Sequence, residues 1–175
     1  MQQHLIPDYD IVEEIGRGSF ATVYLAKHSQ FGSVAIKSVN TSKLNKKLLE
    51  NLASEIHILK TFHHIHITQL FDIIKQDTFI HLVMEYCNLG DLSVYIKKKG
   101  IVKLGPTSSS TDSTLMDSRF CNEWGGLKED IVRHFLRQLG SAISFLRSHS
   151  LIHRDLKPQV ILHVFEIMTI IRISC

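Results

Sequence analysis

The chain has 175 residues, 44% of them hydrophobic and 21% charged, with a formal net charge of +3. That is the composition of a folded globular protein long enough to bury one core and begin a second lobe, and so mild a positive excess gives no electrostatic case for a nucleic-acid partner. The three cysteines, Cys87, Cys121 and Cys175, stand at unrelated spacings and are expected as reduced cytosolic thiols rather than a disulfide framework. No run reaches the ~18 apolar residues of a membrane span. The polar start Met1-Gln2-Gln3-His4 does not resemble a signal peptide, so neither a transmembrane segment nor secretion is expected.

Tyr9 to Ile15 alternates loosely, then Gly16-Arg17-Gly18-Ser19-Phe20-Ala21-Thr22-Val23 leads into Tyr24-Leu25-Ala26, which predicts a hairpin bent over a ligand. Glycines at 16 and 18 let backbone N–H groups approach phosphate oxygens with no Cβ in the way. Taken alone, G-x-G is also an ordinary hairpin turn, and a dinucleotide-type turn is disfavoured because no helix starts after it. Val34-Ala35-Ile36-Lys37 predicts an apolar strand, on which a lone Lys is costly unless it meets phosphate or carboxylate. Leu48, Leu52, Ile56 and Leu59 repeat at helical spacing, with Glu55 on the edge of that stripe and poised to meet Lys37. A solvated helix glutamate is the plain alternative. The histidines of Phe62-His63-His64-Ile65-His66-Ile67 lack Cys or carboxylate companions, so they are expected as solvated turn residues rather than metal ligands.

Leu70 to Ile74 and Phe79 to Met84 are strand-like, and the run from Leu82 through Met84, Glu85 and Cys87 to Gly90, Asp91 and Leu92 describes a buried strand that ends in a Gly-Asp turn. Residues 100–126 change character. Gly105-Pro106-Thr107-Ser108-Ser109-Ser110-Thr111-Asp112-Ser113 is turn-rich and of low complexity, which predicts a flexible insertion. From Leu127 the helical period resumes, and Ile131, Val132, Phe135, Leu136, Leu139, Ala142, Ile143 and Leu146 predict one broad apolar face. That helix runs directly into Leu151-Ile152-His153-Arg154-Asp155-Leu156-Lys157-Pro158-Gln159.

Written H-R-D-L-K-P, the last stretch resembles the catalytic loop of protein kinases. With the glycine turn and the V-A-I-K strand upstream in the right order, the chain from Tyr9 to Gln159 resembles the N-terminal part of a eukaryotic protein kinase domain. Lys157, two positions after Asp155, is typical of serine/threonine kinases. The words G-R-G-S-F-A-T-V-Y, K-L-N-K-K-L-L-E-N-L, S-E-I-H-I-L-K and M-E-Y-C-N-L-G-D-L look like the autophagy-initiating kinases, particularly their fungal branch, as does Ala21 in place of a third glycine. The resemblance implies an α+β fold. It consists of a kinase-like N-lobe over about 9–86 (a five-stranded antiparallel sheet plus the αC helix), a hinge over about 85–91, and only the first helices and catalytic loop of the C-lobe over 92–159.

The resemblance also implies an activity, transfer of the ATP γ-phosphate to protein hydroxyls with Mg2+ as cofactor. Asp155 would accept the hydroxyl proton, Lys157 would neutralise charge on the phosphoryl group, and Lys37 with Glu55 would orient the phosphates. Ile15, Gly16, Arg17, Gly18, Ser19, Phe20, Ala21 and Val23 would cover the nucleotide. Ala35, Met84 and Leu162 would line the adenine pocket, the backbone of Glu85 and Cys87 would bond the adenine edge, and Asp91 would lie near the ribose. The implied partners are protein substrates and autophagy scaffold and regulatory proteins, met in the cytoplasm and peripherally at the preautophagosomal membrane.

Departures follow Gln159. Val160 stands where the family has a magnesium-ligating Asn, no D-F-G follows, and 160–175 is an apolar, β-branched tail unlike the family. The expectation from sequence is a kinase domain truncated in the catalytic loop, its tail the product of a retained intron, a frameshift or a mispredicted gene end, with an authentic short isoform as the alternative. Lost metal positioning of ~4 to 6 kcal/mol would slow transfer on the order of a thousandfold or more. The alternative function is therefore a catalytically dead fragment that keeps at most nucleotide or partner binding.

Overall fold

The computed structural model describes residues 6–99, 126–153, 156–164 and 167–170. Nearly all of the expected insertion lies outside these residues, as do Arg154, Asp155 and parts of the apolar tail. The chain divides into two compact units, one within Met1–Cys87 and one within Asn88–Arg172.

In the first unit β1 (Asp10–Arg17), β2 (Ala21–His28) and β3 (Gly32–Asn40) form a meander, followed by α1 (Lys46–Thr61), β4 (Leu70–Gln76) and β5 (Phe79–Glu85). The five strands pair antiparallel in the order β1-β2-β3-β5-β4. The strands run further into the glycine turn than the sequence alternation suggests, leaving only Gly18, Ser19 and Phe20 outside the ladder. β3 is the central strand, and Val34 to Val39 are all buried, which explains a sequence that is apolar on both faces.

Side chains alternate across the sheet. Val34 and Ile36 pack with Ala26 and Val83 on one face, joined by Ile6 and Tyr9. Val39, Leu82 and Met84 pack on the other against Leu52 and Leu59 of α1. Each such buried leucine contributes about 1.5–3 kcal/mol of apolar transfer. On the face away from α1, the fully buried His81 is bonded through Nδ1 to Ser38 Oγ at 2.7 Å.

The entry to α1 is fixed by two asparagines. Asn40 accepts from Ser42 N–H at 3.0 Å and caps the short 3-10 turn Thr41–Lys43, while Asn45 accepts from Leu48 N–H at 2.9 Å and caps α1 itself. After α1 the turn exposes Ile65 at 68%.

The second unit contains α2 (Leu92–Lys99), α3 (Glu129–Ser148), a 3-10 turn Pro158–Val160, and a two-stranded antiparallel hairpin of β6 (Ile161–Val164) and β7 (Ile167–Ile170). Its core gathers Phe135 and Ile161 with Leu92, Tyr95, Leu127, Ile131, Leu139 and Val160. Tyr95 meets Phe135 edge-to-face at 5.5 Å. The broad apolar face expected on α3 divides in the structure. Phe135, Ala142 and Leu146 are buried, whereas Val132, Leu136 and Ile143 are 37%, 59% and 38% exposed. Positions 132, 136 and 143 form their own stripe, and the packing inside this unit covers only the neighbouring one.

α3 ends in a Schellman motif: Leu151 N–H bonds Leu146 C=O at 2.9 Å and Ser150 N–H bonds Arg147 C=O at 2.9 Å, with Ser150 left-handed at φ 58°. A glycine would take this position without a Cβ penalty. Two substitutions are expected to move stability in opposite directions in urea unfolding. Asn45→Ala removes the α1 cap and costs about 1 kcal/mol, whereas Ser150→Gly relieves the left-handed serine and gains about 1 kcal/mol.

Candidate functional site

In the first unit the chemistry gathers on the α1 side of the sheet. Cross-strand partners share a face, and Val23 pairs with Lys37, which pairs with Leu82, while Ala35 pairs with Met84. Leu82 and Met84 belong to the core against α1, so Val23, Ala35 and Lys37 face the same layer. Lys37 is 6% exposed there. On the opposing helix Glu55 is 5% exposed, between the buried Leu52 and Leu59 of one stripe. Among the described residues these are the only Lys, Arg, Asp or Glu side chains that are buried, and they are of opposite sign. Each buried charge alone would cost several kcal/mol, so their presence in one apolar layer is the main electrostatic feature of this unit.

The glycine turn is tied to the layer. Gly18 N–H bonds Ala21 C=O at 2.8 Å, Asn40 N–H bonds Phe20 C=O at 3.0 Å, and Phe20 and Ala21 pack against the sheet–helix core. β1 carries two register shifts, one of them between Glu14 and Gly16, which add local twist just before the turn. Arg17 turns its guanidinium back onto Glu14, with Nε 2.8 Å from Oε1. That contact lowers the pKa of the Glu14 carboxyl and raises that of the Arg17 guanidinium. Ile15 is 43% exposed.

Neither Gly16 nor Gly18 has a positive φ. A Cβ added at Gly16 would sit 3.7 Å from Val23 Cβ, and one at Gly18 3.7 Å from Ala21 O, both ordinary contacts. The protein's own packing therefore does not require glycine at either position. At the end of β5, Glu85 N–H is taken by Gln69 C=O at 3.0 Å, so any further backbone bond from Glu85 goes through its carbonyl oxygen. Cys87 follows as a buried thiol.

The second unit holds the remaining residues singled out from sequence. Asp91 is the cap of α2, its Oδ1 accepting from Val94 N–H at 2.9 Å and from Ser93 Oγ. The G-D-L-S pattern carries that cap signal, which a reading centred on a ligand passes over. His153 is buried, Lys157 is exposed on extended backbone, and Asp155 lies outside the described residues. Leu162 lies in β6. Val160 packs, half-buried, against the Phe135 and Ile161 cluster.

Comparison with known proteins agrees with this arrangement. The profile described as "Protein kinase domain" matches residues 9–174. The chain is 56% identical over 156 residues to a serine/threonine-protein kinase atg1 of Aspergillus clavatus, covering 88% of this chain and 16% of that protein. It is 54% identical over 158 residues to the protein of the same name from Schizosaccharomyces pombe, covering 90% and 19%, and 50% identical over 158 residues to ATG1 of Pyricularia oryzae, covering 90% and 16%. The chain thus spans less than a fifth of the length of these curated relatives. A match over residues 9–174, on a five-stranded sheet with one covering helix and a buried Lys and Glu, is enough for one conclusion: this chain belongs to the protein kinase domain family.

Proposed function

We propose that the chain carries the nucleotide site and catalytic loop of a serine/threonine kinase that transfers the γ-phosphate of ATP to protein hydroxyls and acts at the initiation of autophagy. The observation that carries this reading is the burial of Lys37 and Glu55 in one layer, beside a turn whose glycines the fold itself does not need. Similarity to the atg1 kinases supports the hydroxyl specificity and the autophagy role. Protein substrates, autophagy scaffold and regulatory partners, and work in the cytoplasm and peripherally at the preautophagosomal membrane belong to the same proposal. No helix among the described residues is long and apolar enough to cross a membrane.

ATP fits the residues present. Bare Cα positions at 16 and 18 leave the backbone of the turn approachable by phosphate oxygens, the Gly18 N–H itself being engaged by Ala21 C=O, and Lys37 supplies a desolvated cation in the same layer as the buried Glu55. Ile15, Arg17, Ser19, Phe20, Ala21 and Val23 complete the cover over the nucleotide. Ala35, Met84 and Leu162 line the base, Glu85 through its carbonyl and Cys87 through its backbone hold the base edge, and Asp91 lies by the ribose. Bound ATP supplies an activated phosphoryl group. Asp155 takes the proton of the attacking hydroxyl, and Lys157 offsets negative charge as it develops.

Magnesium does not fit the residues present. Val160 offers no lone pair and its side chain is engaged in an apolar cluster, so this position supplies no ligand to a metal ion. That same observation favours a second reading, a chain that binds nucleotide or partners without transferring phosphate.

Radiolabelled phosphate transfer by the whole chain to a serine-containing protein, alongside nucleotide binding, separates the two readings. Transfer that falls about a hundredfold or more in Asp155→Ala supports the kinase. Binding without transfer supports the second reading, and absence of both rejects the nucleotide site. Lys37→Met is expected to weaken nucleotide binding about tenfold or more, measured by calorimetry. Gly16→Ala and Gly18→Ala are expected to leave unfolding within about 0.5 kcal/mol of the parent while weakening nucleotide binding, a split between stability and affinity that a purely structural turn would not produce.

A further inference from the structure

On the sheet face away from α1, where β1 begins and β2 turns into β3, lies a cleft of about 300 Å³ to which none of the proposed nucleotide-site residues contributes. Four aromatic rings form its wall. Tyr9 stacks on His28 at 4.7 Å, His28 on Phe31 at 4.7 Å, and Phe31 on Phe71 at 5.0 Å with planes 6° apart. Tyr9 is buried, but Phe31 at the tip of the turn is 40% exposed, so the stack presents apolar ring surface to solvent. His28 Nδ1 accepts from Gln30 N–H at 3.2 Å and from Phe31 N–H at 3.4 Å, which fixes the ring's orientation in the stack.

Two exposed carboxylates, Asp8 and Asp72, lie at the rim, and no Lys or Arg lines the cleft among the described residues. Burial first, and then the charges of Asp72 and Asp8, raise the Tyr9 phenol above its ordinary value, so both carboxylates are within electrostatic reach of the stack. Asp72 Oδ1 is held by Ile73 N–H at 2.7 Å, which fixes that carboxylate relative to the strand.

Flat ring faces beside carboxylates of one sign suit a planar cation. A guanidinium lies parallel on aromatic rings and bonds a carboxylate through two N–H groups, whereas a compact, strongly hydrated ammonium gains less from such a wall. We propose that this cleft is a docking site for an arginine side chain on an extended segment of a partner protein. The guanidinium covers the exposed Phe31 ring and bridges towards Asp8 and Asp72.

The test is titration of the isotopically labelled 175-residue chain with acetyl-Gly-Arg-Gly-amide, followed by NMR at Tyr9, His28, Phe31 and Phe71. The control peptide carries citrulline, which keeps the shape of arginine and removes the charge. Saturable shifts centred on the four rings are expected with the arginine peptide, and binding about tenfold or more weaker with citrulline. The double variant Asp8→Asn, Asp72→Asn is expected to lose the same factor while keeping the circular dichroism of the parent. Added salt should weaken the arginine peptide and leave the citrulline peptide unchanged in the unmodified chain, a readout that does not depend on the variant folding. Equal binding of the two peptides would show that the positive charge is not what the cleft recognises and overturn the proposal, as would the absence of saturable shifts at the stack or indifference to both the double variant and salt. None of these outcomes bears on phosphate transfer, because no residue of the stack belongs to the proposed nucleotide site.

Discussion

Two ions of opposite sign, buried in a layer otherwise built of Leu, Val and Met, set the terms for the first unit of this protein. Desolvating each costs several kcal/mol, and a domain of ordinary stability has only about 5–15 kcal/mol in hand. A fold selected for stability alone would place leucines at 37 and 55. Everything around them works as a mount: β3 is central and covered on both faces, α1 is capped at its start by Asn45, and the stripe Leu52 and Leu59 seats the helix on Leu82, Met84 and Val39. Sheet and helix are each rigid by their own hydrogen bonds, so the two charges keep fixed positions across the layer. In the proposed nucleotide reading, a cation fixed in this way would meet phosphate oxygens without reorganising.

Much of this was legible in the sequence because it is written in short-range patterns. A strand apolar on both faces with one lysine, a helical stripe with one glutamate beside it, and glycines between two alternating segments each state their own secondary structure. Together they state a topology when their order is known from a family. What escaped is what no local pattern encodes. The α3 periodicity marks every apolar residue alike, yet only the stripe of Phe135, Ala142 and Leu146 finds partners while Val132, Leu136 and Ile143 stay exposed. Asp91 carries a helix-cap signal in addition to the role the family resemblance implies for it, and the structure shows the cap.

The bond between Ser38 and His81, and the ring contacts Tyr9–His28 and Phe31–Phe71, join residues far apart in the chain. Their partners are set by strand order and register, not by spacing. Ser150 is a similar case. Serine gives no hint of a left-handed residue, and the Schellman bonds of the α3 terminus place it there against its preference. Val160, in contrast, departs from a family pattern in a way sequence shows at once, and the structure adds that its side chain is spent on packing.

The strand order has one further effect on the first unit. β3 lies in the interior of the ladder and its residues 34–39 are screened from water, whereas β1 sits at the margin, largely exposed, with two breaks in its pairing. Local opening is governed by burial and by the number of neighbouring strands, so the edge that carries the glycine hairpin costs less to open than the interior strand that holds the lysine. The glycine hairpin thus grows from an exposed edge strand, while Lys37 stands on a strand that is interior and buried.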